Sequence, residues 1–96
     1  MLTLNDIIIK LEENLPYLRH KYGIKNIGIF GSFVRDEQTS DSDIDILVEY
    51  NDIPDYHHIY LNIELEEILN REVDLATPDS LRKYTKESVL REVKYV

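Results

Sequence analysis

The chain has 96 residues, of which 43 % are hydrophobic, and a domain of this size buries about 60 % of the surface its unfolded chain exposes, enough for one modest core. Nineteen acidic residues against 11 basic ones give a formal charge of −8, which argues against direct nucleic-acid binding, because phosphate backbones are held by clustered Lys and Arg. Cysteine is absent, excluding disulfides and thiolate metal sites and fitting a reducing cytoplasm, and neither a signal peptide nor a run of about eighteen apolar residues that could span a membrane is visible.

From Asn5 to Leu18 the residues Ile8, Leu11, Leu15 and Leu18 fall at helical spacing, with Thr3 or Asn5 placed to cap the start. Pro16 inside that pattern predicts a kink or break at Leu15 and a second short helix ending at Gly23. Ile27–Phe30 reads as a buried strand, Phe33–Asp36 as one or two helical turns, Glu37–Ser42 as a polar loop, and Ile44–Glu49 as a second strand. After a Pro54-containing connection, Asn51–Asp55, the stretch Tyr56–Asn70 predicts a helix with Leu61, Leu65 and Ile68 on its inner side. Glu72–Ala76 is a short third strand, and Thr77-Pro78-Asp79-Ser80 opens a last helix, Leu81–Val96, with Val89, Leu90 and Val93 facing in. No repeat, low-complexity tract or linker divides residues 1–96, so one domain is expected: a small α/β (α+β) mixed sheet of about three or four strands, with helices packed on one face and the functional site on the other.

The most informative run is Gly31-Ser32-Phe33-Val34-Arg35, followed after the polar gap by Ser42-Asp43-Ile44-Asp45. A Gly-Ser turn leaving an apolar strand frees backbone N–H groups to receive a phosphate. Side chains alternate along a strand, so Asp43 and Asp45 share one face while Ile44, Ile46 and Val48 face a core. Two such carboxylates repel each other and any phosphate brought near; divalent cations relieve both, and hard oxygen ligands favour Mg²⁺ or Mn²⁺. Asp74, between Val73 and Leu75 on the third strand, can face the same way, and three carboxylates on one sheet face could hold two cations about 3.5–4 Å apart for phosphoryl chemistry.

Rival readings of these residues are weaker. Asp41-Ser42-Asp43-Ile44-Asp45 has the spacing that begins a calcium loop, but the sixth position is Ile46 rather than Gly and the twelfth is Asp52 rather than Glu. His57 and His58 are adjacent and diverge by about 100° on a helix, so they cannot share one zinc ion; exposure or a partner contact is expected for them, and a surface position for His20. The seven tyrosines suit packing rather than base stacking, since no basic patch accompanies them.

Gly31-Ser32-x-x-Arg35 with Ser42-Asp43-x-Asp45 and a later Val73-Asp74-Leu75 resembles the DNA polymerase beta-type nucleotidyltransferase superfamily, and the short length resembles its minimal nucleotidyltransferase branch, the MntA-like antitoxins. The resemblance covers nearly the whole chain and implies that Gly31 and Ser32 bind the triphosphate of ATP. It also implies that Asp43 and Asp45 ligate two Mg²⁺ ions, and that Asp74 ligates the catalytic one near the attacking hydroxyl. Arg35 either touches phosphate or pairs with Asp36 or Glu37, and Ser42 belongs with the nucleotide-binding set. One departure is Asp36, where the family usually has Gly; it adds a negative charge beside the phosphate path. The branch further implies a cytoplasmic antitoxin that silences a HEPN-type ribonuclease toxin by moving AMP from ATP to its tyrosine hydroxyl, forming a hetero-oligomer in which the partner supplies a second wall for the site. Two alternatives stay open: an antitoxin that acts by occlusion alone, and a small-molecule adenylyltransferase, against which the lack of a substrate domain argues.

Overall fold

Thr3 starts the first helix with a reciprocal cap: its Oγ1 accepts the Asp6 N–H at 3.2 Å and the Asp6 carboxylate accepts the Thr3 N–H at 2.9 Å. The computed structural model describes residues 2–52 and 57–96. Their order is α1 (Leu4–Tyr22), β1 (Ile24–Phe30), β2 (Ile44–Tyr50), α2 (His57–Leu69), β3 (Val73–Ala76), a 3₁₀ turn (Pro78–Ser80), α3 (Lys83–Glu92) and β4 (Lys94–Tyr95). The expected connection beyond Asp52 and the expected helix start at Tyr56 lie outside the described residues.

Helix α1 runs from Leu4 to Tyr22 through Pro16, so the predicted break is overturned. Proline removes one hydrogen bond, to the Glu12 carbonyl, but both residues are exposed and water can serve that oxygen. Meanwhile Leu11 before Pro16 and Leu18 and Tyr22 after it are buried in one core, which holds both halves in line. The buried stripe is Ile7, Leu11, Leu18 and Tyr22; the predicted Ile8 and Leu15 pack at its edge. Gly23 ends the helix in the left-handed region, at φ 65°, with its N–H donating to the Arg19 carbonyl at 3.0 Å. That sharp end feeds β1 at once, which is why the strand begins at Ile24 rather than Ile27.

The sheet has the order β3-β2-β1-β4, with β2 antiparallel to β1, parallel to β3 through the α2 crossover, and β4 antiparallel to β1. Ile27 and Ile29 of β1 stand opposite Val48 and Ile46 of β2 and join Ile44, Leu61 and Leu65 against α1 in the core. Asn70, at φ 51°, closes α2 with the Arg71 N–H reaching back to the Glu66 carbonyl, a left-handed cap that Asn tolerates.

The carboxyl-terminal segment departs most from expectation. The helix predicted over Leu81–Val96 stops at Glu92, and Lys94–Tyr95 form a fourth strand: Tyr95 pairs with Gly28, Lys94 with Ile29, and the Val96 N–H donates to the Ile27 carbonyl at 2.9 Å. The β1 edge offers unpaired N–H and C=O groups, and Val93, Tyr95 and Val96 favour strand over helix. Gly28 permits the approach, because a Cβ there would meet Val93 Cγ2 at 2.7 Å and the Lys94 carbonyl at 2.9 Å. Consequently α3 is not on the face packed by α1 and α2; Val93 stands over Gly28, and Leu47 and Val89 are buried outside the main cluster. Of the three residues predicted to face in, Val89 does so, Val93 is partly buried and Leu90 is 44 % exposed.

Candidate active site

The turn after β1 is built around Gly31, whose φ of 81° is left-handed and whose missing Cβ is replaced in space by the Asp45 carboxylate. Residues 32–36 make tight turns rather than the expected helix: the Gly31 carbonyl accepts from Val34 and Arg35 N–H at 3.1 and 3.3 Å, and Ser32 from Glu37 at 2.9 Å. Phe33, 2 % exposed, nails the turn to the core, and Asp36 closes it at φ 57°. That left-handed position is the physical reason a glycine suits it. Among the described residues the Ser32 and Phe33 N–H groups have no hydrogen-bond partner.

Asp43 precedes β2, Asp45 lies on it, and Asp74 on β3 is Asp45's neighbour in the parallel register, while the intervening Ile44 and Ile46 are fully buried on the other face. Alternation along two paired strands has therefore brought the carboxylates to one side. Asp43 and Asp74 are exposed and Asp45 is half-buried. Burial first, then the charges of Asp74 and Asp43, push the Asp45 carboxyl up from 3.8 to about 6. Three carboxylates on one side of the sheet are hard oxygen donors that suit a divalent cation in charge and chemistry. As the side chains stand, no three His, Cys, Asp or Glu groups among the described residues converge into one ligand shell.

Asp45 also lines a cavity of about 440 Å³ between the Gly31 turn and α3, with Gly31 and Arg35 on one wall and Tyr84, Ser88 and Glu92 on the other. Asp43 and Asp74 are not part of its lining. Arg35 is held at two points: its Nε donates to Glu37 at 3.2 Å and its Nη1 to both Glu92 oxygens at 3.0 Å, and these carboxylates, Glu92 foremost, push its pKa up. Glu92 Oε1 also accepts the Gly31 N–H at 2.9 Å. The pairing with Glu37 is one of those foreseen for Arg35; Glu92 is a new participant, 61 residues from Gly31 in sequence.

Ser42 serves the loop before Asp43: its Oγ accepts the Thr39 N–H at 2.8 Å. Arg71 pins the same loop, Nε donating to the Ser42 carbonyl and Nη2 to those of Thr39 and Ser40, each at 2.9 Å, with its guanidinium 5.5 Å from the Phe33 ring centroid. One side chain thus ties the Gly31 turn to the segment that delivers Asp43. Only its position just after the left-handed Asn70 could have hinted at that role. His58 is half-buried rather than exposed: its Nε2 donates to the Leu75 carbonyl at 3.1 Å and its Nδ1 faces the Tyr50 hydroxyl at 2.9 Å, while His57 meets the Tyr22 ring edge-on.

Residues 11–96 match the nucleotidyltransferase domain family. The protein adenylyltransferase MntA of Thermococcus cleftensis is 44 % identical over 97 residues, an alignment spanning 100 % of this chain and 98 % of that protein. A solved minimal nucleotidyltransferase superposes with a TM-score of 0.81 at 31 % identity, covering 97 % of this chain and 95 % of that one. A toxin–antitoxin crystal structure with AMP-PNP gives 0.68 at 29 % identity, covering 98 % of this chain and 72 % of that one. A Gly31 turn seated on Asp45, with Asp74 in register beside it, is thus carried by a four-stranded mixed sheet whose match extends over nearly its whole length, and the chain belongs to the nucleotidyltransferase family, in its minimal branch.

Proposed function

We propose that this nucleotidyltransferase moves AMP from ATP to a protein hydroxyl, the acceptor being a tyrosine of a HEPN-type toxin that the chain neutralises as its antitoxin. The observation that carries the reading is Asp45, in register with Asp74, seated against the Gly31 turn and lining an open cavity of about 440 Å³. The name of the Thermococcus relative and the AMP-PNP in the toxin–antitoxin neighbour support it. In this reading Gly31, Ser32 and Arg35 receive the triphosphate; the left-handed Gly31 and the unpartnered Ser32 and Phe33 N–H groups suit anionic oxygens. Ser42 shapes the turn that presents Asp43.

Asp43, Asp45 and Asp74 would hold Mg²⁺ or Mn²⁺, which when bound neutralises the phosphates and lowers the pKa of the acceptor hydroxyl. In this reading Asp74, the more exposed of the two register partners, would receive the proton of that hydroxyl as its oxygen bonds to the α-phosphorus and pyrophosphate departs. The acidic surface, with its formal charge of −8, would favour docking on a basic, RNA-handling protein.

The test is the double change Asp43→Asn and Asp45→Asn, made in the chain co-expressed with its toxin. Magnesium-dependent ATP binding, read by calorimetry with and without chelator, and transfer of labelled AMP should both vanish while the complex still forms. Protection of cells by the double variant at normal expression would instead make the chain an antitoxin that works by occlusion.

A further inference from the structure

Two of the donors in the proposed triphosphate site, the Gly31 N–H and the Arg35 guanidinium, already share one acceptor. Glu92 Oε1 lies 2.9 Å from the Gly31 nitrogen, and both its oxygens lie 3.0 Å from Arg35 Nη1. We infer that Glu92 is an internal stand-in for phosphate, so that a triphosphate enters this site only by displacing it, and that Glu92 thereby sets nucleotide affinity. This rests on the nucleotide reading above and adds to it a competitor supplied by the protein.

The chemistry of the contact favours this over a plain buttress. A carboxylate and a phosphate offer the same anionic oxygens to N–H donors at the same distances. Glu92 is the last residue of α3, and its backbone is fixed on the far side by β4, where Lys94 and Tyr95 pair with Ile29 and Gly28. The carboxylate therefore leaves by rotation of its own three-torsion side chain, without unpairing the strand. Arg35 does not lose its anchor when that happens, because its Nε remains paired with Glu37 at 3.2 Å, leaving Nη1 to turn to the incoming anion. The side chain of Glu92 is 20 % exposed and that of Arg35 47 %, so the pair sits at the cavity mouth, within reach of a ligand from solvent.

The experiment measures binding of magnesium-ATP, inorganic triphosphate with magnesium, and adenosine to the wild type, Glu92→Gln, Glu92→Ala and Glu87→Gln. The last removes an exposed α3 carboxylate that, among the described residues, pairs with Arg91, and so controls for overall charge. Glu92→Gln and Glu92→Ala should bind ATP and triphosphate about fivefold tighter, the size of a partly exposed ion pair, with adenosine and the Glu87→Gln variant unchanged. The Gly31 amide resonance should shift in Glu92→Ala without ligand and in the wild type on adding magnesium-ATP. Unchanged or weaker binding in Glu92→Gln, in a folded protein whose wild type binds, overturns the stand-in role and leaves the nucleotide reading intact. An equal gain in Glu87→Gln also overturns it, as bulk charge would then be the cause. Absence of magnesium-ATP binding in both wild type and Glu92→Gln overturns the nucleotide reading, and the competitor with it.

Discussion

The carboxylate of Asp45 occupies the space in which a side chain at Gly31 would begin, so the turn after β1 and the acidic face of β2 interlock at a single backbone position. Gly31→Ala must therefore do two unfavourable things, hold a Cβ at φ 81° and push Asp45 aside. A loss of about 1–3 kcal/mol of unfolding free energy is expected in urea titration. In a double-mutant cycle with Asp45→Ala the two changes should couple, the second relieving about 1 kcal/mol of the first, because the atoms that collide would be gone.

Asp45 itself should make the metal-free domain less stable as pH rises. Its folded pKa of about 6 lies above the ordinary 3.8, so the folded state holds the proton more tightly. The stability contributed by the protonated form is complete below 3.8 and is lost as pH rises through about 6. Asp45→Asn, which stays neutral, should melt higher than the wild type at about pH 7 in chelator and nearly level with it at about pH 3.5. Melting curves that part in the opposite direction would mean that ionised Asp45 is stabilised by its surroundings.

Arg71 joins three carbonyls of the 39–42 segment and covers Phe33, and lysine cannot reproduce that planar fork. Arg71→Lys should lower stability by about 1–2 kcal/mol. Hydrogen exchange locates the damage: the Ser42 and Ile44 amides, bonded to the Thr39 and Glu72 carbonyls, should lose protection before the β1 amides do. If nucleotide transfer is assayed, it should fall although no carboxylate has been touched.

Asp36 stands at φ 57°, where glycine carries no steric penalty. Asp36→Gly relieves the left-handed backbone but loosens the unfolded chain, and the two effects oppose each other, so the melting temperature should change little. Nucleotide affinity should rise by about two- to fivefold at low salt and the gain should shrink at high salt, since an exposed charge is being removed. Calorimetry at two ionic strengths checks both parts; loss of binding would give Asp36 a positive role at the turn.

Short-range rules carried the reading a long way. Alternation alone puts Asp43 and Asp45 on one face, since Ile44 and Ile46 must go to the core, and the Thr3–Asp6 cap, the Gly23 stop and the Gly-Ser turn are each written within a few residues. Where neighbours in sequence conflicted with neighbours in space, the sequence misled. Pro16 forbids a helical hydrogen bond locally, yet Leu11 and Leu18 share one core and keep α1 whole. Residues 93–96 continue a helical pattern, yet the open edge of β1 and the bare backbone of Gly28 draw Lys94 and Tyr95 into the sheet. The same long-range docking delivers Glu92 to Gly31 across 61 residues and Arg71 to the loop before Asp43, and neither meeting follows any periodicity. Residue type and spacing determine which chemical groups the chain offers and which side of a strand they take. The tertiary packing, through burial first and the sheet register second, decides that the Asp45 carboxyl beside Asp74 is pushed up, and that the Gly31 N–H and Arg35 already hold the carboxylate of Glu92.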